Sequence, residues 1–232
     1  MSSITQALQF VNHEIQQALD KAHRPANAVA LLAVSKTKPL SDIGLAYQAG
    51  QRLFGENYVQ EGVDKIVESR QQDWLNDPIE WHFIGPLQSN KTRLVAENFA
   101  WLQTLDRAKI ADRLNQQRPA GMPPLQVCLQ VNVSQESTKS GLSLDQVDEL
   151  AAHVAQQPNL CLRGLMAIPQ QVENNQQLET QFAAMAKKFS QLQQQYASVD
   201  TLSMGMSGDM NTAINHGSTM VRVGSAIFGQ RS

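Results

Sequence analysis

The chain is poor in most of what would tie it to a membrane, a metal, a nucleic acid or an oxidising compartment. Its two cysteines, Cys128 and Cys161, are far apart and each sits inside an apolar run, which predicts free buried thiols rather than a disulfide or a metal pair. Aspartate and glutamate number 21 against 19 lysines and arginines, a formal charge of -2 with the basic residues scattered, so there is no electrostatic case for nucleic acid or an anionic membrane. No apolar run approaches the ~18 residues of a membrane helix, and no charged segment followed by a continuous apolar one opens the chain as a secretory signal would. The expected compartment is the cytoplasm. Also missing are a Walker-type lysine loop, a dinucleotide glycine fingerprint and any histidine, cysteine or carboxylate spacing that suits a metal. No Pro/Gly/Ser-rich linker and no change of composition divides the 232 residues, of which 42% are hydrophobic, so one domain over 1–232 is expected.

What is present is an alternation. Strand-like apolar runs fall at 29–35, 52–55, 79–84, 101–105, 125–133, 160–167, 199–204 and 220–223. Helical stripes fill the intervals: Val59, Val63, Ile66 and Val67; Leu94 and Val95; Ile110 and Leu114 behind a capping Asp106; Val147, Leu150, Ala151 and Val154 behind the capping box Ser143/Gln146. The clearest stripe is Leu178, Phe182, Met185, Phe189, Leu192 and Tyr196. Ser41 and Asp42 can cap a helix that stops at Gly50. Ahead of all this, Ser3 and Gln6 form a capping box for an amphipathic helix at about 3–22 with Ile4, Leu8, Val11, Ile15 and Leu19 on one face. Strictly alternating β and α units imply parallel strands with right-handed crossovers, and about eight of them in this length predict an α/β fold, a single-domain (β/α)8 TIM barrel over about 28–230 with an extra N-terminal helix. An open doubly wound sheet is the alternative.

The first of those runs, Leu31-Leu32-Ala33-Val34-Ser35-Lys36-Thr37-Lys38-Pro39, ends in a lysine, and Pro39 stops the ladder soon after. Alternation sends Leu32, Val34 and Lys36 to one side. If that side is a barrel interior, the Lys36 amine projects over a pocket, where desolvation lowers its pKa from about 10.4 and makes it a candidate for a Schiff base with an aldehyde. Barrels carry their sites where the strands end, and the residues found there are Lys36, Glu56-Asn57-Tyr58, Gly85-Pro86 past His82 and Phe83, Lys139, Met166, Ser203 to Ser207, and Arg222-Val223-Gly224-Ser225. The loops 203–209 and 224–225 combine small residues and hydroxyls just before helical turns, the setting in which backbone N–H groups bind phosphate. An amine and a phosphate cradle facing each other across one rim suit a phosphorylated aldehyde. His82, within an apolar strand, is expected to be a hydrogen-bonded core residue.

With those residues assembled, the sequence resembles the pyridoxal phosphate homeostasis proteins, relatives of the barrel domain of alanine racemase. The likeness runs from end to end: LLAVSKTKP at 31–39, FGENYVQEG at 54–62, WHFIGPLQSNK at 81–91, RGLMAIP at 163–169, LSMGMSGD at 202–209 and STMVRVGSAIFG at 218–229. Ser225 stands where threonine is common in the family, and the hydroxyl is kept. The resemblance implies the fold type III barrel of proteins that use pyridoxal 5′-phosphate (PLP), with Lys36 carrying PLP as a covalent Schiff base and Lys38 as the competing amine. It also implies phosphate contacts from Ser207, Gly224 and Ser225, a ring lined by Asn57, Phe83, Met166 and Ser203, and Arg222 facing the pyridine nitrogen.

An arginine there donates hydrogen bonds and keeps its own proton, so the pyridine nitrogen is held unprotonated and the ring's electron sink is weakened. The racemase's second domain, source of its opposite base and its dimer contacts, has no counterpart in this sequence. The expectation is therefore a monomeric protein that holds, buffers or delivers PLP, with apo PLP-dependent enzymes as recipients, no robust turnover of its own, and Lys139 as a possible aid to transfer. The alternatives are a slow racemase or decarboxylase with Lys36 and His82 or Tyr58 as bases, and a phosphosugar aldolase that uses Lys36 without PLP.

Overall fold

The computed structural model describes residues 3–134, 140–169 and 175–230. It opens with helix α1 (Ile4–Lys21), where Ser3 and Gln6 exchange side-chain and backbone hydrogen bonds in the expected capping box and Leu8, Val11, Ile15 and Leu19 are buried. Then follow β1 (Ala30–Val34), α2 (Leu40–Gln48), β2 (Leu53–Glu56), α3 (Val59–Ser69), β3 (Glu80–Phe83), α4 (Thr92–Asn98), β4 (Trp101–Leu105), α5 (Ala108–Gln117) and β5 (Leu125–Val131). The second half runs α6 (Val147–Ala155), β6 (Leu160–Ala167), α7 (Asn175–Gln195), β7 (Thr201–Ser203), α8 (Met210–Asn215), β8 (Met220–Val223) and α9 (Ser225–Phe228). Each strand pairs in parallel with the next, and β8 returns to β1 with Leu32 opposite Arg222, which closes the barrel. The open doubly wound alternative is excluded.

Alternation sorts the side chains. Leu31, Ala33, Phe54, Leu165, Leu202 and Val221 point outward into the shared core beneath the helices. Leu32, Ile84 and Met220 point inward and form one apolar cluster; Trp101, Cys128 and Met166 form another. Both cysteines are free, Cys128 buried and Cys161 only partly so.

Three local expectations are corrected. Helix α2 begins at Leu40 behind Pro39, with Ser41 and Asp42 inside its first turn and no side-chain cap. Proline is favoured where an N–H has no helical partner, and here it takes the place of a polar cap. Helix α5 starts behind Arg107, also with no side-chain cap, and Asp106 instead accepts from the Arg107 guanidinium. Val67 lies on the outer face of α3 and is exposed.

Strand β6 carries an irregularity that seals the lower end of the barrel. Its register against β5 slips between Val127 and Cys128, where the partners jump from Leu162 to Gly164. The skipped Arg163 lies over the Trp101 ring, 4.8 Å from its centroid, and forms an ion pair with Asp200. Gly164 makes the close approach possible, with φ +148 and room for no side chain, since a Cβ would lie 1.9 Å from the Thr201 carbonyl oxygen. Gly164→Ala is therefore expected to lower stability by about 1–3 kcal/mol or more in urea unfolding. Gly121→Ala, where a Cβ meets nothing within 4 Å, is expected to cost only the strain of its positive φ, about 1 kcal/mol.

Candidate functional site

At the C-terminal ends of the strands lies a cavity of about 700 Å³, lined by Lys36, Asn57, Ser207, Arg222, Gly224 and Ser225 together with Val34, Lys38, Ile84, Ile168 and Asp209. Strand closure explains why these distant residues meet. The ends of β1 and β8 are neighbours, so Lys36 comes beside Arg222 and Gly224. A Cβ on Gly224 would stand 3.1 Å from the Val34 carbonyl oxygen, so glycine lets this turn lie against β1.

Lys36 sits in a turn just past the last strand residue, Val34, while Ser35 N–H still donates to Gly55 O at 3.0 Å. Both neighbours are clamped. Ser35 Oγ donates to Glu56 Oε1 at 2.6 Å, and Thr37, in the left-handed region at φ 63, donates its N–H to Glu61 Oε1 at 2.5 Å. Lys65 ties the two carboxylates together, its Nζ donating to Glu56 Oε1 at 2.9 Å, to Glu61 Oε1 at 2.6 Å and to the Ser35 carbonyl at 2.8 Å. Burial pushes the Glu56 carboxyl above its ordinary range against the opposing pull of Lys65. The competing amine, Lys38, reaches the same cavity, but its Nζ donates to Gln230 O at 3.1 Å.

On the same cavity, Ser207 and Gly208 are exposed on the loop ahead of α8, and Ser225 opens α9, whose Ile227 and Phe228 N–H groups are taken by Gly224 O at 2.9 Å. Gly205, at φ +101, bends the chain into that loop, and its carbonyl accepts from Arg222 N at 3.0 Å. Asp209 also lines the cavity; its Oδ1 accepts the Met206 N–H, and burial raises its pKa. The Arg222 guanidinium, 4% exposed, donates through NH1 to Ser203 O and Oγ at 2.8 and 2.7 Å and through NH2 to Ala167 O at 2.8 Å. Burial depresses its pKa to about 10, still well above neutrality.

Of the nine residues expected at the site, Lys36, Asn57, Ser207, Arg222, Gly224 and Ser225 share the cavity. Phe83 does not. It points outward, fully buried against Phe99 with ring centroids 5.4 Å apart, because alternation puts it on the face opposite His82; Ile84, the next residue, takes its place. Met166 faces inward but one layer lower, against Trp101 and Cys128. Ser203 lies beneath Arg222 rather than on the cavity wall. Lys139 lies outside the described residues. His82 is a core residue, fully buried, stacked on Trp101 and hydrogen-bonded to Glu80 and Gln103. The clamp of Glu56, Glu61 and Lys65 was not anticipated; its only trace in the sequence is the four-residue spacing of Glu61 and Lys65 on α3.

The family model for the alanine racemase N-terminal domain matches residues 7–232. A pyridoxal phosphate homeostasis protein of Pasteurella multocida is 57% identical over 231 residues, covering 99% of this chain and 98% of the relative. The chain belongs to the pyridoxal phosphate homeostasis family. The homeostasis protein of Escherichia coli K12 is 55% identical over 100% of this chain and 98% of its own length. Among solved structures, PipY of Synechococcus elongatus with PLP bound is 33% identical with a TM-score of 0.75, over 93% of this chain and 100% of that one. The Pasteurella multocida and Escherichia coli relatives are named for homeostasis rather than for a reaction. Among the described residues, no helix is long and apolar enough to cross a membrane, and no group of three or more His, Cys, Asp or Glu side chains could hold a metal ion.

Two outcomes are expected from this geometry. Lys65→Met leaves the Glu56 carboxylate buried without its cation and should cost about 3–5 kcal/mol in urea unfolding, whereas Lys65→Met with Glu56→Leu should recover much of that loss. The second concerns pH. Burial holds the His82 pKa below 6.5, so the unfolded chain binds more protons than the folded one once pH falls through that value. The stability that neutral His82 contributes is full above pH 6.5 and is lost below it. Subtracting the stability profile of His82→Gln from that of the wild type, by urea titrations between about pH 7.5 and 5, should give a difference that declines toward acid. A flat difference would contradict the assignment.

Proposed function

We propose that the chain binds pyridoxal 5′-phosphate as a Schiff base on Lys36 and serves the intracellular supply of that cofactor by storing, buffering or delivering it, so that amino-acid and keto-acid metabolism is affected indirectly. The observation that carries this reading is the placing of Lys36, at the end of β1, and the Ser207 and Gly224–Ser225 turns, after β7 and β8, on the wall of one cavity. PLP presents an aldehyde at one side and a phosphate at another, and the cavity offers an amine for the first and hydroxyl and backbone N–H donors for the second. A second feature supports the fit. Asn57 lines the cavity, and its buried Oδ1 has no hydrogen-bond partner among the described residues, an unsatisfied acceptor at the cavity wall. PipY, a relative at 33% identity solved with PLP bound, supports the choice of ligand.

In this reading Ser207, Gly224 and Ser225 hold the phosphate, and Arg222 donates to the pyridine nitrogen. When bound, PLP supplies an electron sink for amino-acid chemistry, and a nitrogen that accepts from arginine rather than carrying a proton makes that sink weak. Of the two residues weighed as a second base beside Lys36, His82 is sealed inside the barrel and Tyr58 does not line the cavity. In this reading the chain acts as a monomer that passes PLP to apo-enzymes.

Borohydride reduction of the PLP-loaded protein followed by peptide mapping should place the adduct on Lys36. Lys36→Ala should abolish it and Lys38→Ala should leave it; an adduct that maps to Lys38 rejects the assignment. Incubation with a panel of amino acids should shift the visible spectrum in a stoichiometric way without product, and many turnovers on any of them would show an enzyme instead. A colourless protein that does not take up added PLP would favour the aldolase.

A further inference from the structure

The polar side chains inside the barrel are joined in one continuous line. From Arg222 NH1, Ser203 Oγ accepts at 2.7 Å and donates in turn to Gln103 Oε1 at 2.6 Å. Gln103 Nε2 stands 2.9 Å from His82 Nδ1 and 3.1 Å from Met220 Sδ, and His82 Nε2 stands 2.9 Å from Glu80 Oε1. Ser203, Gln103 and His82 are each 0% exposed, whereas the Glu80 side chain at the start of β3 is 44% exposed. The line therefore crosses the barrel from the cavity to the opposite end. Strand interiors of this fold are ordinarily packed with branched apolar side chains, and a polar line in their place is tolerable only when every member is satisfied.

The chemistry of the members fixes its direction. Arginine only donates and a carboxylate only accepts. Ser203, already accepting from Arg222, gives its proton to Gln103 Oε1, which leaves Gln103 Nε2 as donor to Met220 Sδ and His82 Nδ1. His82 must then be the neutral tautomer with its proton on Nε2, donated to Glu80. Reversing the Gln103 amide would set its oxygen against the Met220 sulfur and leave the Ser203 proton without this acceptor. Burial keeps His82 neutral, and the His82 hydrogen bond lowers the Glu80 pKa, both in accord with that order.

We propose that Gln103 and His82 are positioning residues: through Ser203 they lock the Arg222 guanidinium where it enters the cavity and connect it to Glu80 at the far end of the barrel. This deepens the PLP reading and rests on it only for what Arg222 meets in the cavity. Backbone carbonyls of Ser203 and Ala167 hold NH1 and NH2, and the relay adds the Ser203 Oγ contact that fixes the NH1 edge from inside the barrel.

The test begins with protein free of cofactor. Nitrogen-15 spectra should report His82 as the Nε2–H tautomer and resolve the Arg222 Nη signals, as restricted rotation requires. Gln103→Leu should shift and broaden the Nη1 signal and weaken PLP binding about tenfold in a spectral titration, the scale of lost supporting hydrogen bonds around a bound group. Gln103→Glu, which needs a proton from both neighbours, should convert His82 to the imidazolium. If Gln103→Leu does not fold, the wild-type tautomer and Gln103→Glu still decide. An Nδ1–H tautomer in the wild type, or Arg222 signals indifferent to Gln103→Leu, overturns the relay. If the signals respond as expected but Arg222→Gln alters neither the PLP affinity nor its absorbance, the relay stands and the assigned contact between Arg222 and PLP is what fails.

Discussion

The pairing of the first strand with the last is the constraint on which the site depends. Leu32 opposite Arg222 and Ala33 opposite Val223 bring residues 190 positions apart into adjacent ladders, and both strands then leave the barrel at the same end. Lys36 and the Gly224 turn are neighbours because of that register. A slip of one residue would invert the facing of β1 and turn Lys36 toward the helices. The loop closed by this contact is nearly the whole chain, so it is the contact whose entropy cost is largest and which the remaining seven pairings must prepare.

Two buried polar systems then act beside the cavity, and they differ in kind. The Glu56–Lys65–Glu61 cluster takes the Ser35 carbonyl and hydroxyl and the Thr37 N–H, so the turn that carries Lys36 has little freedom. The line from Arg222 to Glu80 grips a side chain and belongs to the barrel interior. Neither is an economical way to stabilise a fold, since desolvating charges commonly offsets their attraction. What they supply is orientation, and the cavity needs it at both places.

Much of this was legible in the sequence. The eight strands are evident because apolar runs such as Leu160 to Ala167 recur between helical stripes, and Lys36 stands out because Pro39 closes its run. The resemblance of six long motifs carried the remaining cavity residues. What failed did so for local reasons. Phe83 and Ile84 are both apolar at the end of β3, and only the phase of alternation, set by where His82 points, separates them. Ser203 has the residue type of a ligand contact but sits one layer too deep, a depth fixed by the stagger of β7 against β8. Ser41, Asp42 and Asp106 have capping chemistry at the wrong position by one to three residues.

The least legible part is the most connected one. Gln103 lies in β4 between Leu102 and Thr104, with nothing around it to mark it, and its significance arises from Ser203, 100 residues later, and His82, 21 residues earlier. A glutamine is the side chain that can accept at one atom and donate at the adjacent one, which is what a line running from a cation to a carboxylate requires at its midpoint. Glutamate would accept twice, leucine not at all. The requirement comes from the direction of the chain of donors and exists only once the barrel has closed around it. Side chains that carry chemistry can be read from motifs, but those that hold them in place become visible through the partners they share.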